Sequence, residues 1–199
     1  MDLTQKICVD LCSGLGGFSQ AFMDDPNWFV VRIDITRKSG VNIIADVKNL
    51  PLKENLCPDV LLMSPPCERF SLANSCWPQI GIRNAMEIVG ACLEAVAYLK
   101  PRCWLLENPK GRLRWFIETR PIATVNMGDY GYRTIKPTDL WGNLSLPLVD
   151  LHRKDNGGIK FNQGPRSSSK RAMLPLGFSQ TIKKAVEDLC TPTNLENSG

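Results

Sequence analysis

The chain has 199 residues, of which 43% are hydrophobic and 22% are charged, and its formal net charge is +4. These proportions are ordinary for a globular protein, and no apolar run approaches the roughly 18 residues that a membrane span requires. No secretion signal is recognisable at the N-terminus, so the eight cysteines are expected to be reduced thiols of a cytoplasmic, intracellular protein. The single histidine, His152, and the scattered cysteines argue against a metal site.

The first predicted elements are a strand, a glycine turn and a helix. Residues 7–11 form a short apolar run, residues 12–17 contain three glycines, and residues 18–23 have helical character. Glycines let a ligand approach the backbone closely, and a helix N-terminus offers free N–H groups. This order is typical of the first unit of a nucleotide-binding fold.

The next two predicted strands each end in an aspartate. Residues 28–33 lead into Asp34, which follows Gly14 by 20 residues. An acid at this distance is where dinucleotide-binding folds hold a ribose hydroxyl, although Asp34 is also a suitable residue for a strand-end turn. Residues 43–45 lead into Asp46, which either faces an adenine or caps a turn.

A fourth apolar run, residues 60–63, is followed by Ser64-Pro65-Pro66-Cys67. Two consecutive prolines stiffen the chain as it leaves the sheet and hold Cys67 at the end of the strand. In open α/β sheets, ligands bind in the crevice beyond the carboxyl ends of the strands. Cys67 is therefore a candidate nucleophile; the alternative is a structural free cysteine.

A predicted helix over residues 84–99 leads to another buried strand over residues 103–106. That strand ends in Glu107-Asn108-Pro109, so the Glu107 carboxylate is expected to point at the same crevice as Cys67. A basic cluster follows at once and consists of Lys110, Arg112 and Arg114.

The last third of the chain divides into a strand pair, a basic segment and a helix. Residues 122–125 are a predicted strand, and residues 134–141 are a predicted antiparallel strand that Pro137 should restrict to a sheet edge. The predicted organisation is a catalytic and cofactor-binding core over 1–145, a basic loop or minimal DNA-contacting lobe over 146–172, a closing helix over 173–190 and a flexible tail over 191–199.

The basic segment has six lysines and arginines against one acid between residues 152 and 171. Its composition is rich in glycine and serine as well. Such a segment suits contact with a phosphate backbone, although the same charge also fits a merely solvated loop.

Three motifs in this order resemble those of the DNA (cytosine-5) methyltransferases. Residues 10–18 (DLCSGLGGF) are similar to the family's motif for S-adenosylmethionine, residues 64–67 to its catalytic Pro-Cys motif, and residues 107–109 to its Glu-Asn-Pro motif. The resemblance covers about residues 6 to 142. It implies an α/β, Rossmann-like methyltransferase fold with a mostly parallel central sheet and helices on both faces.

The resemblance also implies a set of site residues. Those assigned to S-adenosylmethionine are Leu11, Ser13, Gly14, Leu15, Gly16, Gly17, Phe18, Asp34, Ile35, Asp46, Val47, Ser64 and Pro65. Those assigned to catalysis are Cys67, Glu107, Arg133 and Lys136. Those assigned to the substrate are Pro66, Asn108, Pro109, Arg69 and Ser71.

The implied mechanism is covalent. The Cys67 thiolate, with a pKa lowered by positive charge or loop N–H groups, would add to C6 of a cytosine flipped out of double-stranded DNA. Glu107 would hydrogen-bond N3 and the exocyclic amine, and Arg133 or Lys136 would stabilise the O2 side.

The chain also departs from the family pattern. Glu68 follows Cys67 where the family usually has Gln, and the basic Gln-x-Arg-x-Arg motif is represented only by Arg133 and Lys136. About thirty residues separate Gly142 from Leu174, where the family places a target-recognition domain. DNA specificity would then come from the basic loop or a second protein subunit, and so short a core suggests a phage or another mobile element.

Two other functions remain open from the sequence. Ser64-Pro65-Pro66 also begins the Ser-Pro-Pro-aromatic motif of cytosine N4 amino-methyltransferases, which need no nucleophile. A non-catalytic or partner-dependent DNA-binding subunit would fit the short recognition region. RNA as the substrate is equally compatible with flipped-base chemistry.

Overall fold

A computed structural model describes residues 5–38, 40–71, 79–133, 135–146 and 173–190. In these ranges one sheet contains seven strands. They are β1 (Lys6–Leu11), β2 (Trp28–Asp34), β3 (Ile43–Ile44), β4 (Val60–Met63), β5 (Cys103–Pro109), β6 (Ala123–Asn126) and β7 (Pro137–Gly142). The helices are α1 (Gln20–Met23), α2 (Gln79–Leu99) and α3 (Leu176–Cys190).

The strand order across the sheet is β3-β2-β1-β4-β5-β7-β6. Strands β1 to β5 pair in parallel, and β7 runs antiparallel to both of its neighbours, β5 and β6. Strands β2 and β3 follow on one side of β1, whereas β4 and β5 follow on its other side. The connections from β1 and from β4 therefore leave in opposite directions, and a crevice forms between them at the carboxyl ends of the two strands. The predicted mostly parallel sheet is confirmed.

The helices pack against apolar side chains on both faces of the sheet. On one face, α2 places Val89, Cys92 and Leu99 against residues of β1, β4 and β5. On the other face, α3 contributes Phe178 and Ile182 to a separate core with α1. The central strands are buried on both sides, which explains why β4 is an uninterrupted apolar run. Helices on both faces were expected and are present.

The predicted edge position of the last strand is wrong. β7 lies inside the sheet, between β5 and β6. Pro137 is the first residue of β7 and is exposed there, so its missing N–H interrupts no ladder, while its carbonyl accepts from the Lys110 N–H at 2.9 Å. A proline at the start of a strand is compatible with an interior position.

The predicted basic lobe and tail lie outside the described residues, apart from residue 146. None of the helices in the described part of the chain combines the length and apolar character needed to cross a membrane. The described residues also contain no group of three or more His, Cys, Asp or Glu side chains placed to hold a metal ion.

Asp10 is a fully buried carboxyl group in β1. Its Oδ2 accepts from the Ser19 hydroxyl at 2.6 Å, and Oδ1 has no hydrogen-bond partner among the described residues. Burial raises the pKa of Asp10 to about 7, although Ser19 and the Arg32 charge oppose the rise. The native protein therefore keeps this proton at pH values where the unfolded chain has lost it.

Because of Asp10, the free energy of unfolding should fall as the pH rises from about 4 to 7. In that range the unfolded chain has lost the Asp10 proton while the folded protein still holds it. Asp10→Asn, which has the same shape, should lose this dependence. We expect the variant to gain up to about 4 kcal/mol relative to the unaltered protein between pH 4 and pH 8. Urea unfolding of both proteins at several pH values measures the difference; a constant difference would contradict the assignment.

Candidate active site

The register of β4 and β5 brings the two motif segments together. Met63 pairs with Leu106, so the chain leaves β4 beside Glu107. The Asn108 side-chain amide donates to the Pro65 carbonyl at 3.1 Å and ties the end of β5 to the proline turn. Cys67 and Glu107 line the same pocket, which has a volume of about 130 Å³.

The segment after Cys67 is held in a tight turn. The N–H groups of Phe70 and Ser71 both donate to the Cys67 carbonyl, at 3.0 and 3.1 Å. The Phe70 side chain is fully buried, and its carbonyl accepts from the Arg112 N–H at 2.8 Å. Two prolines on one side and a docked turn on the other therefore fix the Cys67 backbone.

The prediction that the pKa of Cys67 is lowered is wrong for the protein without ligands. Burial raises the pKa of the half-buried Cys67 thiol, and the Glu107 carboxylate raises it further. Lys136 and the backbone N–H of Cys67 itself oppose the rise without cancelling it. The thiol is therefore the main form near neutral pH.

Glu107 is buried at the end of β5, and its pKa is raised by that burial, with Lys136 opposing the rise. Its Oε1 has no hydrogen-bond partner among the described residues. A buried polar atom without a partner loses free energy unless a ligand satisfies it. A carboxyl group in this state favours a ligand with a hydrogen-bond donor, and its raised pKa lets it also deliver a proton.

The two basic candidates differ in position. Lys136 lines the pocket with Cys67 and Glu107, and its ammonium lies 5.5 Å from the centre of the Tyr132 ring. Arg133 is exposed and lines a separate depression beside Leu176. The structure brings Lys136 to the site and leaves Arg133 outside it. Lys136 directly precedes β7, and its N–H donates to Asn126 Oδ1 at 3.0 Å.

A second pocket, of about 320 Å³, adjoins the first and shares Gly14, Ser64 and Cys67 with it. Gly14 has φ +53°, and the nearest atom to an added Cβ is the Cys12 carbonyl oxygen at 4.0 Å. The glycine turn therefore presents open backbone to both pockets. Leu174, two residues before α3, closes the other side: its carbonyl oxygen would lie 2.5 Å from a Cβ at Gly17.

Asp34 is buried at the edge of the second pocket and accepts several hydrogen bonds. Gly14 N donates to Oδ2 at 2.8 Å, Thr36 donates to Oδ1 at 2.9 Å (N) and 2.7 Å (Oγ1), and the Lys38 ammonium lies 3.3 Å from both oxygens. Burial alone would raise the pKa of Asp34, but these donors and the Lys38 charge hold it below its usual value. Asp34 is an ionised acceptor that also fixes the glycine turn.

Most residues predicted to contact the cofactor line the two pockets. They are Ser13, Gly14, Leu15, Gly17, Phe18, Asp34, Ile35, Asp46, Val47, Ser64 and Pro65. Asp46 also caps the turn over Val47–Asn49, because its carboxylate accepts from Lys48 N at 3.0 Å. Both alternatives for Asp46 are therefore compatible with its position.

Leu11 and Gly16 lie outside the pockets. Leu11 is fully buried in the core, and its carbonyl accepts from Ser64 N. Gly16 faces the Arg32 guanidinium, which would lie 2.4 Å from an added Cβ. The left-handed φ of +82° at Gly16 and this internal contact both favour a residue without a side chain.

Among the predicted substrate residues, Pro66 and Pro109 line the pockets, and the other three do not. Asn108 is buried and bonded to Pro65. The Arg69 side chain lies over Gly81 of α2, with Nε 2.8 Å from where a Cβ would be. The Ser71 carbonyl accepts from the Arg112 guanidinium at 2.9 Å.

Several pocket residues were not among the predicted site residues. They are Cys12, Thr36, Lys38, Ala45, Glu68, Ile88 and Met173. Lys38 is recognisable only once Asp34 is known to need a counter-charge, since it follows Asp34 by four residues. Met173 precedes Leu174, and both residues line the first pocket opposite the glycine turn.

The pocket walls fit S-adenosylmethionine. The Ser13 hydroxyl is buried and has no hydrogen-bond partner among the described residues, and it faces the first pocket beside the open Gly14 backbone. The second pocket combines the Asp34 carboxylate with apolar walls from Ile35 and Val47. An acceptor for ribose hydroxyls and an apolar slot for a base are what an adenosine group requires.

Two curated proteins are similar to this chain in sequence. A probable DNA (cytosine-5)-methyltransferase of Frog virus 3 (isolate Goorha) is 29% identical over 154 residues, which are 68% of this chain and 70% of the relative. The type II methyltransferase M.AplI of Arthrospira platensis is 25% identical over 118 residues, 55% of this chain and 33% of the relative. The resemblance is thereby confirmed. No family model matches the chain.

A solved structure supports the fold. It belongs to a protein assigned as a DNA modification methyltransferase encoded within an E. coli prophage, with a TM-score of 0.50 and 19% identity. The match covers 69% of this chain and 46% of that chain. The Rossmann-like methyltransferase fold predicted from the motifs is confirmed, and this chain spans less than half of the prophage protein.

The opposing charges around Cys67 predict opposite effects on its reactivity. Glu107→Gln removes a negative charge and should speed alkylation of Cys67 by iodoacetamide at pH 8, while Lys136→Met should slow it, each by about three- to tenfold. Peptide mass spectrometry identifies the labelled cysteine, and exposed Cys57 in the same sample serves as the control. Equal Cys67 rates in all three proteins would contradict the electrostatic account.

Proposed function

We propose that the chain is an S-adenosylmethionine-dependent DNA methyltransferase that acts on C5 of cytosine through a covalent adduct with Cys67. The observation that carries the proposal is the meeting of Cys67, Glu107 and the open glycine turn around two adjoining pockets. The sequence similarity to named DNA methyltransferases supports the same activity.

The cofactor would be held by the second pocket and the glycine turn. When bound, S-adenosylmethionine supplies an electrophilic methyl group. Asp34 would accept hydrogen bonds from the ribose hydroxyls, and the exposed Ile35 side chain would cover the base. Gly14 would leave room for the rest of the cofactor to reach the pocket that contains Cys67.

Cys67 would supply the electrons that C5 needs. Addition of its thiolate to C6 converts the ring to an enamine, whose C5 is nucleophilic; later loss of the C5 proton and the thiolate restores the aromatic ring. Because the pKa of the Cys67 thiol is raised, the proton must leave as the substrate binds. Lys136, on the pocket wall, is the cation that would stabilise the thiolate or the O2 side.

Glu107 would hold the target base through its Watson–Crick edge. The exocyclic amine of cytosine is a donor for the unpartnered Oε1. The raised pKa of Glu107 favours a carboxyl that gives a proton to N3 as the thiolate adds. A base can reach this buried carboxyl only outside the duplex stack, so the cytosine would be flipped out of DNA.

Nucleoside mass spectrometry tests the proposal. The unaltered protein, incubated with S-adenosylmethionine and mixed-sequence duplex DNA, should form 5-methylcytosine. Cys67→Ala should bind the cofactor with unchanged affinity in calorimetry and form no product, while Glu107→Gln should lose about 10²- to 10⁴-fold in rate. Lys100→Ala serves as the control, because Lys100 is exposed and precedes β5, at the end of that strand opposite to Glu107.

The other outcomes separate the remaining functions. N4-methylcytosine from both the unaltered protein and Cys67→Ala would assign an amino-methyltransferase instead. Methylation of RNA but not DNA would keep the chemistry and change the substrate. No product with cofactor bound would indicate a partner-dependent or non-catalytic DNA-binding subunit.

A further inference from the structure

An exposed tryptophan lies on the turn that packs against the segment after Cys67. The turn Arg112–Trp115 follows β5 directly, and the Trp115 side chain is 66% exposed. Tryptophan is highly buried on average, so this degree of exposure is unusual for the residue. Phe116, the next residue, is also partly exposed. An exposed aromatic pair beside the segment that carries a candidate nucleophile indicates a recognition surface.

The surroundings of Trp115 are positively charged. Residues 110–120 contain Lys110, Arg112, Arg114 and Arg120 but only one acid, Glu118. Arg114 forms a two-point ion pair with the fully buried Asp139 carboxylate and donates to Thr124 at 2.6 Å. That pair anchors the turn to β7, and the remaining charges leave a net +2. Cations beside a flat aromatic ring suit a nucleic-acid strand.

The turn is joined to the segment that carries Cys67. Arg112 donates from its N–H to the Phe70 carbonyl at 2.8 Å and from its guanidinium to the Ser71 carbonyl at 2.9 Å. The Phe116 and Phe70 rings have centroids 6.2 Å apart. A Cβ at Gly111 would lie 2.4 Å from the Phe70 oxygen, so glycine permits this close docking. Trp115 and the Cys67 turn are therefore parts of one packed unit.

We propose that Trp115 stacks on a base of the DNA strand that carries the target cytosine, with Lys110 and Arg120 facing its phosphates. Flipping a base out of a duplex leaves its neighbours partly unstacked, and an aromatic side chain can replace the lost stacking. Stacking on a ring tolerates any base, since every base has a π-face. This inference rests on the proposed function and assigns the DNA-contacting surface of the same site.

Three variants test the proposal on the full chain. Trp115→Ala should weaken binding of a mixed-sequence duplex, measured by fluorescence anisotropy, by about 5- to 150-fold. Trp115→Phe, which keeps an aromatic ring, should bind within about threefold of the unaltered protein. Leu189→Ala is the control, because Leu189 is a similarly exposed apolar residue. Its carbonyl accepts from Arg102, which directly precedes β5, whereas the turn of Trp115 follows β5, so the two residues lie at opposite ends of that strand.

A spectroscopic measurement distinguishes stacking from a structural role. DNA should quench part of the tryptophan fluorescence of the unaltered protein, and that part should be missing in Trp115→Phe although binding persists. Calorimetric binding of S-adenosylmethionine should be the same in all the proteins, which shows that the fold is intact.

Two results would overturn the inference and can be told apart. If Trp115→Ala binds DNA as tightly as the unaltered protein, or Trp115→Phe keeps the full quenching, the stacking surface is wrong while methylation still stands. If the unaltered protein neither binds nor methylates DNA, the proposed function fails and takes the inference with it.

Discussion

The parallel pairing of β4 with β5 is the constraint on which the candidate site depends. Because Met63, the last residue of β4, is paired with Leu106 of β5, the residues that follow these two positions lie in the same crevice. The prolines after β4 then hold Cys67 there, and β5 continues one residue further to carry Glu107. The antiparallel strand β7 covers the other side of β5 and delivers Lys136.

Burial gives this crevice its chemistry. Cys67 and Glu107 each lose solvation there, which raises both pKa values, and their mutual repulsion as anions raises that of the thiol further. A thiol and a carboxyl group whose pKa values are both raised, next to one cation, suit a reaction that must create a thiolate and protonate a ring nitrogen together. The substrate, rather than the free protein, would then set the moment at which charge forms.

The second pocket differs in its electrostatics. Asp34 is held ionised by the donors around it, and one of them is the N–H of Gly14. The acid and the glycine turn therefore hold each other in position before any cofactor binds. Lys38 pairs with the same carboxylate, so a ribose bound there would share Asp34 with a cation already in place.

Local sequence patterns were sufficient to predict β1, β2, β4 and β5, because each is an apolar run that ends in glycine, proline or an acid. The position of β7 was not predictable from Pro137 alone, since a strand's neighbours depend on long-range pairing. The direction of the Cys67 pKa was mistaken because burial depends on the whole fold. That Gly16 lies outside both pockets was not predictable, because a motif does not say which of its glycines lines a pocket.

The central claim is that Cys67 itself attacks a cytosine ring, and a trapped adduct tests it most directly. In DNA that contains 5-fluorocytosine, methyl transfer leaves fluorine at C5 in place of the proton that must be lost, so the thiol adduct cannot break down. Incubation with S-adenosylmethionine should give a covalent protein–DNA complex whose digested peptide carries the nucleotide on Cys67. A protein that methylates ordinary DNA but forms no such complex, or forms it through another cysteine, would contradict the account.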